Sequence, residues 1–206
     1  MPHLVNPIGF RLIVNKKWNS AWFADKKQYR DYFFEDRKIR ELLQNRLKSA
    51  GLERVEIERS VNDIRITVVV LRPGLVIGRG GLGIEALKKD LQKSITGRLK
   101  NFNVVESKKG DLSAKLVGEN IAGQLIRRYP FRRAVDQAME RTMQSGALGI
   151  KVEIGGRLGG LERARTEKKS RGEVPVSTID ENIDYALTLA ETKFGTIGIK
   201  VWIHKI

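Results

Sequence analysis

The tightest constraint on this chain is the stretch 72–84, reading Arg-Pro-Gly-Leu-Val-Ile-Gly-Arg-Gly-Gly-Leu-Gly-Ile, which is apolar, glycine-dense and basic at once. The run before it, Ile64 to Leu71, is β-branched and reads as a strand that Pro73 and Gly74 terminate. After it, Ile84, Leu87, Lys88 and Leu91 begin a helix-period run to about Leu99. The glycines therefore sit where a helix starts and backbone N–H groups are unpaired. Lacking Cβ, Gly78, Gly80 and Gly81 let a nucleic-acid backbone approach closely, while Arg79, with Arg72 at the head of the stretch, supplies the opposite charge.

Three readings of this motif stand side by side. Gly78 to Gly83 matches the G-x-G-x-x-G of a dinucleotide fold, with Glu106 roughly twenty residues on as a ribose acid. Against it, Pro73-Gly74 breaks the passage from strand to first glycine. The second reading is Gly-x-x-Gly (78–81) flanked by Ile77 and Ile84, the loop with which a KH domain clamps about four nucleotides. The third is a glycine-rich turn that only reverses the chain.

Charge favours the nucleic-acid reading. Of 206 residues, 39 are Lys or Arg and 24 Asp or Glu, leaving +15, an excess that no core requires and that points to a polyanion. The longest apolar run is far short of a membrane span, and no lysine-faced amphipathic helix stands out, so no membrane partner is expected. There is no cysteine, which excludes disulfides and thiolate metal sites, and no signal-peptide pattern. A cytoplasmic protein without cofactor or metal is expected.

In chain order, 1–24 carries two prolines, no acid and the aromatics Phe10, Trp18, Trp22 and Phe23; it reads as an extended arm whose aromatics pack on the rest of the protein. Asp25 caps a helix to about Ser49 whose stripe of Tyr32, Phe33, Ile39, Leu42, Leu43 and Leu47 is core. Val55 to Ser60 and Ile64 to Leu71 form a hairpin with its turn at Asn62-Asp63, and a third strand covers Phe102 to Glu106. Helix, strand, strand, loop, helix, strand is the order of a type II KH domain, here 25–107, with a linker at 108–111.

The remainder, 112–206, opens with two helices, Lys115 to Arg128 and Phe131 to Gln144, parted by Pro130. Around that break Arg127, Arg128, Arg132 and Arg133 put four guanidinium groups within seven positions, beside a helix N-terminus that also favours anions. Pairing of these arginines with Asp136 or Glu140 on the same helix is the competing reading. A strand at Ile150 to Ile154 leads into a glycine hinge with Arg157. Beyond it, alternation over Leu161 to Lys169 puts Arg163, Arg165, Glu167 and Lys169 on one side of a strand, a basic face, with Lys168 a further candidate RNA contact. A hairpin whose polar side merely meets solvent explains the same pattern. Ser170 to Glu173 reads as a turn, Asp180 to Thr192 is ambiguous between strand and helix, and Ile197 to Ile203 is a strand. The fold class is α+β throughout.

The motifs taken together resemble a known family, the bacterial-type third proteins of the small ribosomal subunit, universal KH-domain ribosomal proteins. The resemblance is carried by Asn6-Pro7 with Gly9 to Leu12, Trp18 to Trp22, Ile64 to Thr67 into Arg72 to Gly78, Gly156 to Gly160 with Ala164 to Glu167, and Ile197 to Ile203. It implies an N-terminal type II KH domain and a second α+β domain of two helices packed on a mostly antiparallel sheet, which makes 180–192 strand. It also implies a structural role in the subunit head, bound to ribosomal RNA beside the channel where messenger RNA enters. The neighbours it implies are the head proteins numbered ten and fourteen and those around that channel, with no homo-oligomer. Arg132 and Arg133 match two of the family's channel-lining cations, but Asp136 stands at the third; His3-Leu4 depart from the family's usual glutamine and lysine.

Catalysis is not expected. His3 and His204 are the only histidines, and no Ser, His and acid constellation or metal spacing is present. Asp180, Glu181 and Asp184 read as a solvated acidic turn.

Overall fold

Two separate hydrophobic cores organise the chain in this computed structural model, which describes residues 5–12, 14–60, 63–107 and 109–205. One unit spans Trp18–Lys108; the other joins Lys109–Ile206 to the N-terminal residues up to Lys17. The expected extended arm of 1–24 is thus divided between the units. Asn6-Pro7 starts a helical turn, α1 (Pro7–Phe10), because the Asn6 side chain accepts from the Ile8 and Gly9 N–H groups and Pro7 presets the first helical φ. His3-Leu4 and Asn62 of the hairpin turn lie outside the described residues.

In the first unit, β1 (Ser20–Ala21) pairs in parallel with β2 (Leu52–Arg59), and α2 (Lys26–Arg46) lies between them in sequence. Asp25 stands at the N-cap of α2 without a side-chain cap bond. Of the expected stripe, Ile39, Leu43 and Leu47 are buried, whereas Phe33 is exposed, one position off the buried face. β2 and β3 (Asp63–Val70) form the expected antiparallel pair, Val55 opposite Val68. Next come α3 (Pro73–Ile77), a single turn at Arg79–Gly81, and α4 (Leu82–Ser94). The α4 helix stops short of Leu99 because Ile95, Thr96 and Gly97 are poor helix residues. β4 (Arg98–Glu106) then lies parallel to β3, and the sheet order is β1-β2-β3-β4. Fully buried Ile39, Leu43, Ile66, Val68 and Leu91 lock α2 and α4 onto one sheet face, each contributing about 1.5–3 kcal/mol.

The edge of this sheet is tied down by polar bonds. Buried Asp36 accepts from Ser20 Oγ at 3.0 Å, Trp22 Nε1 at 2.9 Å and Arg59 Nη2 at 2.6 Å, while Arg59 Nη1 reaches Glu35 at 2.8 Å. Trp22 therefore packs inward, on Tyr29 and Tyr32, as expected of the aromatics. Trp18 and Phe23 do not; they are 70 % and 90 % exposed, because the short strand between them covers only one face.

In the second unit, α5 (Ala114–Ile126) and α6 (Phe131–Gln144) cover a four-stranded antiparallel sheet of β5 (Gly149–Gly156), β6 (Arg165–Gly172), β7 (Ile183–Thr192) and β8 (Gly195–His204), ordered β6-β5-β8-β7. Val117, Ile121 and Leu125 of α5 meet Val135, Ala138 and Met139 of α6 over Val152, Ile154, Ile199 and Val201. The stretch 183–192 is strand, paired along its whole length with β8. The run expected as a turn from Ser170 continues β6 to Gly172, because Ser170 and Arg171 find ladder partners in Lys151 and Ile150. Arg163 precedes that strand rather than lying in it. No helix among the described residues is long and apolar enough to cross a membrane.

Candidate nucleic-acid interface

The glycine loop is built from left-handed backbone. Gly78, Gly80 and Gly81 have φ of 71°, 62° and 81°, a region that side chains other than Gly, Asn and Asp seldom enter. Beside Gly80 and Gly81 a Cβ would find open space, so these glycines serve backbone conformation and exposure, not tight internal packing. Pro73 begins α3 at its first position, which places a helical turn between β3 and the glycines. In a dinucleotide fold the strand would run directly into them, so that reading is set aside. Arg72 and Arg79 are exposed and, among the described residues, have no ion-pair partner. Leu75, Ile77 and Leu82 stand exposed beside Arg79, giving the loop an apolar wall as well as a charge.

The break between α5 and α6 is a second basic feature. Arg128 is the only non-glycine with positive φ among the described residues, at 62°, and it terminates α5 with its N–H bonded to Leu125 O at 2.9 Å. That reversal, with Pro130 after it, prevents the helix from carrying through, so Arg128 and Arg132 are not one continuous turn apart. Arg127, Arg128 and Arg133 are exposed and free of ion pairs among the described residues. Arg132 reaches Glu167 at 3.4 Å and lies over the Phe131 ring, 5.6 Å from its centroid.

The basic face expected on β6 is largely neutralised. Glu167 and Lys169 point toward α6, where Lys169 Nζ holds Asp136 at 2.7 Å and 2.9 Å. Asp136 thus pairs with a strand rather than with an arginine of its own helix. Lys168 stands directly opposite Glu153 in the ladder and pairs with it at 3.3 Å. Arg157 acts as a strut: its Nε donates to Leu161 O at 3.0 Å and Nη1 to Phe194 O at 3.2 Å. Arg163 and Arg165 remain exposed without ion pairs among the described residues.

Other residues are decided by contacts that sequence alone does not single out. Arg11 is fully buried, donating to the carbonyls of Pro7, Pro175, Val176, Thr178 and Glu181. Burial pushes its guanidinium down from the ordinary arginine range, opposed by the nearby Glu181 charge. Of the three acids expected in a solvated turn, Asp180 is exposed, whereas two are bonded: Glu181 to His204 Nε2 at 2.8 Å, and Asp184 to the Ala114 N–H and Lys205. His204 is buried between Glu181 and the Glu173 carbonyl, in no position to serve as a base toward a substrate. Among the described residues no group of three or more His, Asp or Glu can hold a metal ion. Tyr129, Lys193 and Phe194 line a cavity beside Arg128; the interleaving of aromatics with arginines at 127–133 is the sequence feature that points to it.

Comparison with known proteins agrees with this geometry. A model of the KH domain matches residues 38–112, and one described as ribosomal protein S3, C-terminal domain, matches 121–203. Small ribosomal subunit protein uS3 of Finegoldia magna is 51 % identical over all of this chain and 84 % of its own length. The proteins of the same name from Shouchella clausii and a Ruegeria species are 48 % and 50 % identical, again over the whole chain and over 93 % and 85 % of their own lengths. With two domain models matched in order and relatives this similar across the full chain, the protein belongs to the family of small ribosomal subunit protein uS3.

Proposed function

We propose that the chain is a structural component of the small ribosomal subunit that grips ribosomal RNA and lines the channel through which messenger RNA enters. It is a binding protein, not an enzyme. The observation that carries the reading is the set of exposed arginines without ion pairs at breaks in the chain: Arg72 and Arg79 at the glycine loop, Arg127, Arg128 and Arg133 at the Pro130 turn. Phosphate contacts from such groups supply affinity, and shape supplies placement. Asp136, the one acid among the channel-lining positions, has its charge matched by Lys169, which supports a cationic surface there despite the substitution. Contacts with neighbouring head proteins, numbers ten and fourteen among them, belong to the same proposal and are supported by the exposed Trp18, Phe23 and Phe34.

The test is Arg132→Glu with Arg133→Glu, scored in reconstituted small subunits for passage through structured messenger and for assembly. Passage should fall more than assembly; equal loss of both would count against the channel role.

A further inference from the structure

Beside the α5–α6 break, next to the proposed phosphate contact Arg128, lies a cavity of about 250 Å³. Its lining combines the aromatics Tyr129, Phe131 and Phe194 with aliphatic side chains and with Arg128, Lys193 and the strut Arg157, and among the described residues no carboxylate lines it. Tyr129 and Phe194 are 44 % and 48 % exposed, and the Phe194 ring lies against Gly160, where an added Cβ would come within 3.3 Å. The volume is below the about 300–1,000 Å³ of pockets for drug-sized ligands, so it suits a single planar group. Open aromatic faces, cations at the mouth and the absence of acid together select a ligand that is flat at one end and anionic at the other.

Arg128 adds an independent observation. It occupies the left-handed position that ends a helix, where glycine is the usual residue and a side chain is disfavoured. Helix termination alone would be served better by glycine, so the guanidinium at the cavity mouth has another use.

We propose that this cavity receives one unstacked nucleotide of single-stranded RNA, its base among Tyr129, Phe131 and Phe194 and its phosphate at Arg128 and Lys193. The proposal rests on the RNA-binding reading above and assigns it a base-holding site. Base–aromatic stacking is strong enough for its loss to be read directly.

The experiment titrates the full chain with a fluorescent octauridylate and with the same strand lacking bases. Phe194→Ala should weaken octauridylate binding by about tenfold or more while leaving the abasic strand unaffected. Arg128→Gly should raise the urea midpoint yet weaken both probes, separating fold from function. Equal loss of both probes in Phe194→Ala, or no loss in either variant, overturns the pocket. If Arg132→Glu with Arg133→Glu still weakens binding in that case, the general RNA-binding reading survives; if neither set matters, both fail. In assembled subunits, 4-thiouridine in the RNA should cross-link to Tyr129 or Phe194, and a segment of another protein filling the cavity instead also overturns the assignment.

Discussion

The glycine loop of the first unit and the β6–α6 face of the second carry similar basic side chains, yet they present very different charge. At the loop, Arg72 and Arg79 meet no carboxylate among the described residues. On the face, Lys169 holds Asp136 and Arg132 leans on Glu167, and on the other side of the sheet Lys168 holds Glu153. The difference lies in what surrounds the chain. Inside a sheet covered by a helix, ladder register and helix packing bring acids opposite bases. At a loop or a helix break no neighbour supplies the acid, so the cation stays available to phosphate. Formal charge therefore overstates the grip of that face and describes that of the loop well.

The two units also bury an arginine each, with different partners. Arg59 faces the carboxylates of Asp36 and Glu35, whereas Arg11 is hydrogen-bonded to carbonyl oxygens with the Glu181 charge nearby. The Glu35 carboxylate makes the first arrangement sensitive to acid, whereas the hydrogen bonds of Arg11 end on carbonyls, which do not titrate. Arg11 accordingly predicts the largest effect. Arg11→Met leaves five carbonyls without their donor and should destabilise the second unit by about 3 kcal/mol or more. Faster amide exchange throughout β7 and β8 would register it, and an unchanged urea midpoint would contradict the clamp.

The loop comes next. Arg79→Asp with Gly80→Asp should lower affinity for single-stranded RNA roughly tenfold to a hundredfold without unfolding the first unit. Aspartate tolerates the left-handed backbone at Gly80, and a Cβ there meets nothing within 4 Å. Unchanged affinity would assign the loop to structure or to a protein neighbour.

Acid gives a smaller effect in the first unit. Burial pushes the Glu35 carboxyl up, but hydrogen bonds from Thr96 and Arg59 outweigh it and hold the group below the ordinary glutamate range. A depressed carboxylate stabilises fully above its unfolded value and is lost as pH falls through its folded one, so the loss belongs below about pH 4. Glu35→Gln should remove that part of the pH dependence. Identical acid unfolding curves for the variant and the natural chain would rule this out.

The smallest effect sharpens the comparison most. Asp136→Ala frees Lys169 and should raise RNA affinity about twofold to fivefold at low salt, vanishing at high salt, as befits an exposed pair. A decrease would mean that the acid orients Lys169 rather than masking it.

Much of this could be read before any coordinates. The order of elements follows from hydrophobic period and from breakers such as Pro130 and Gly146, and α6 begins and ends where that reading puts it. The strand–glycine–helix passage was legible because few other residues adopt the φ values found at Gly78, Gly80 and Gly81. Boundaries decided by pairing were not: β6 runs past Ser170 because Ile150 and Lys151 stand ready beside it. Nor was the helical turn at Asn6-Pro7, since its value depends on Arg11 reaching carbonyls more than 160 positions away.

The amino-acid order alone determined two α+β units, a surplus of cations and a loop whose backbone favours glycine, because helix period, strand alternation and left-handed backbone are local properties. Tertiary structure decided which cations stay free, that Arg11 and Arg59 are internal struts, and that Arg128, Tyr129 and Phe194 share one cavity. Those outcomes depend on register and packing between segments distant in sequence, where partners such as Lys169 and Asp136 or Gly160 and Phe194 meet only once the sheets and helices have assembled.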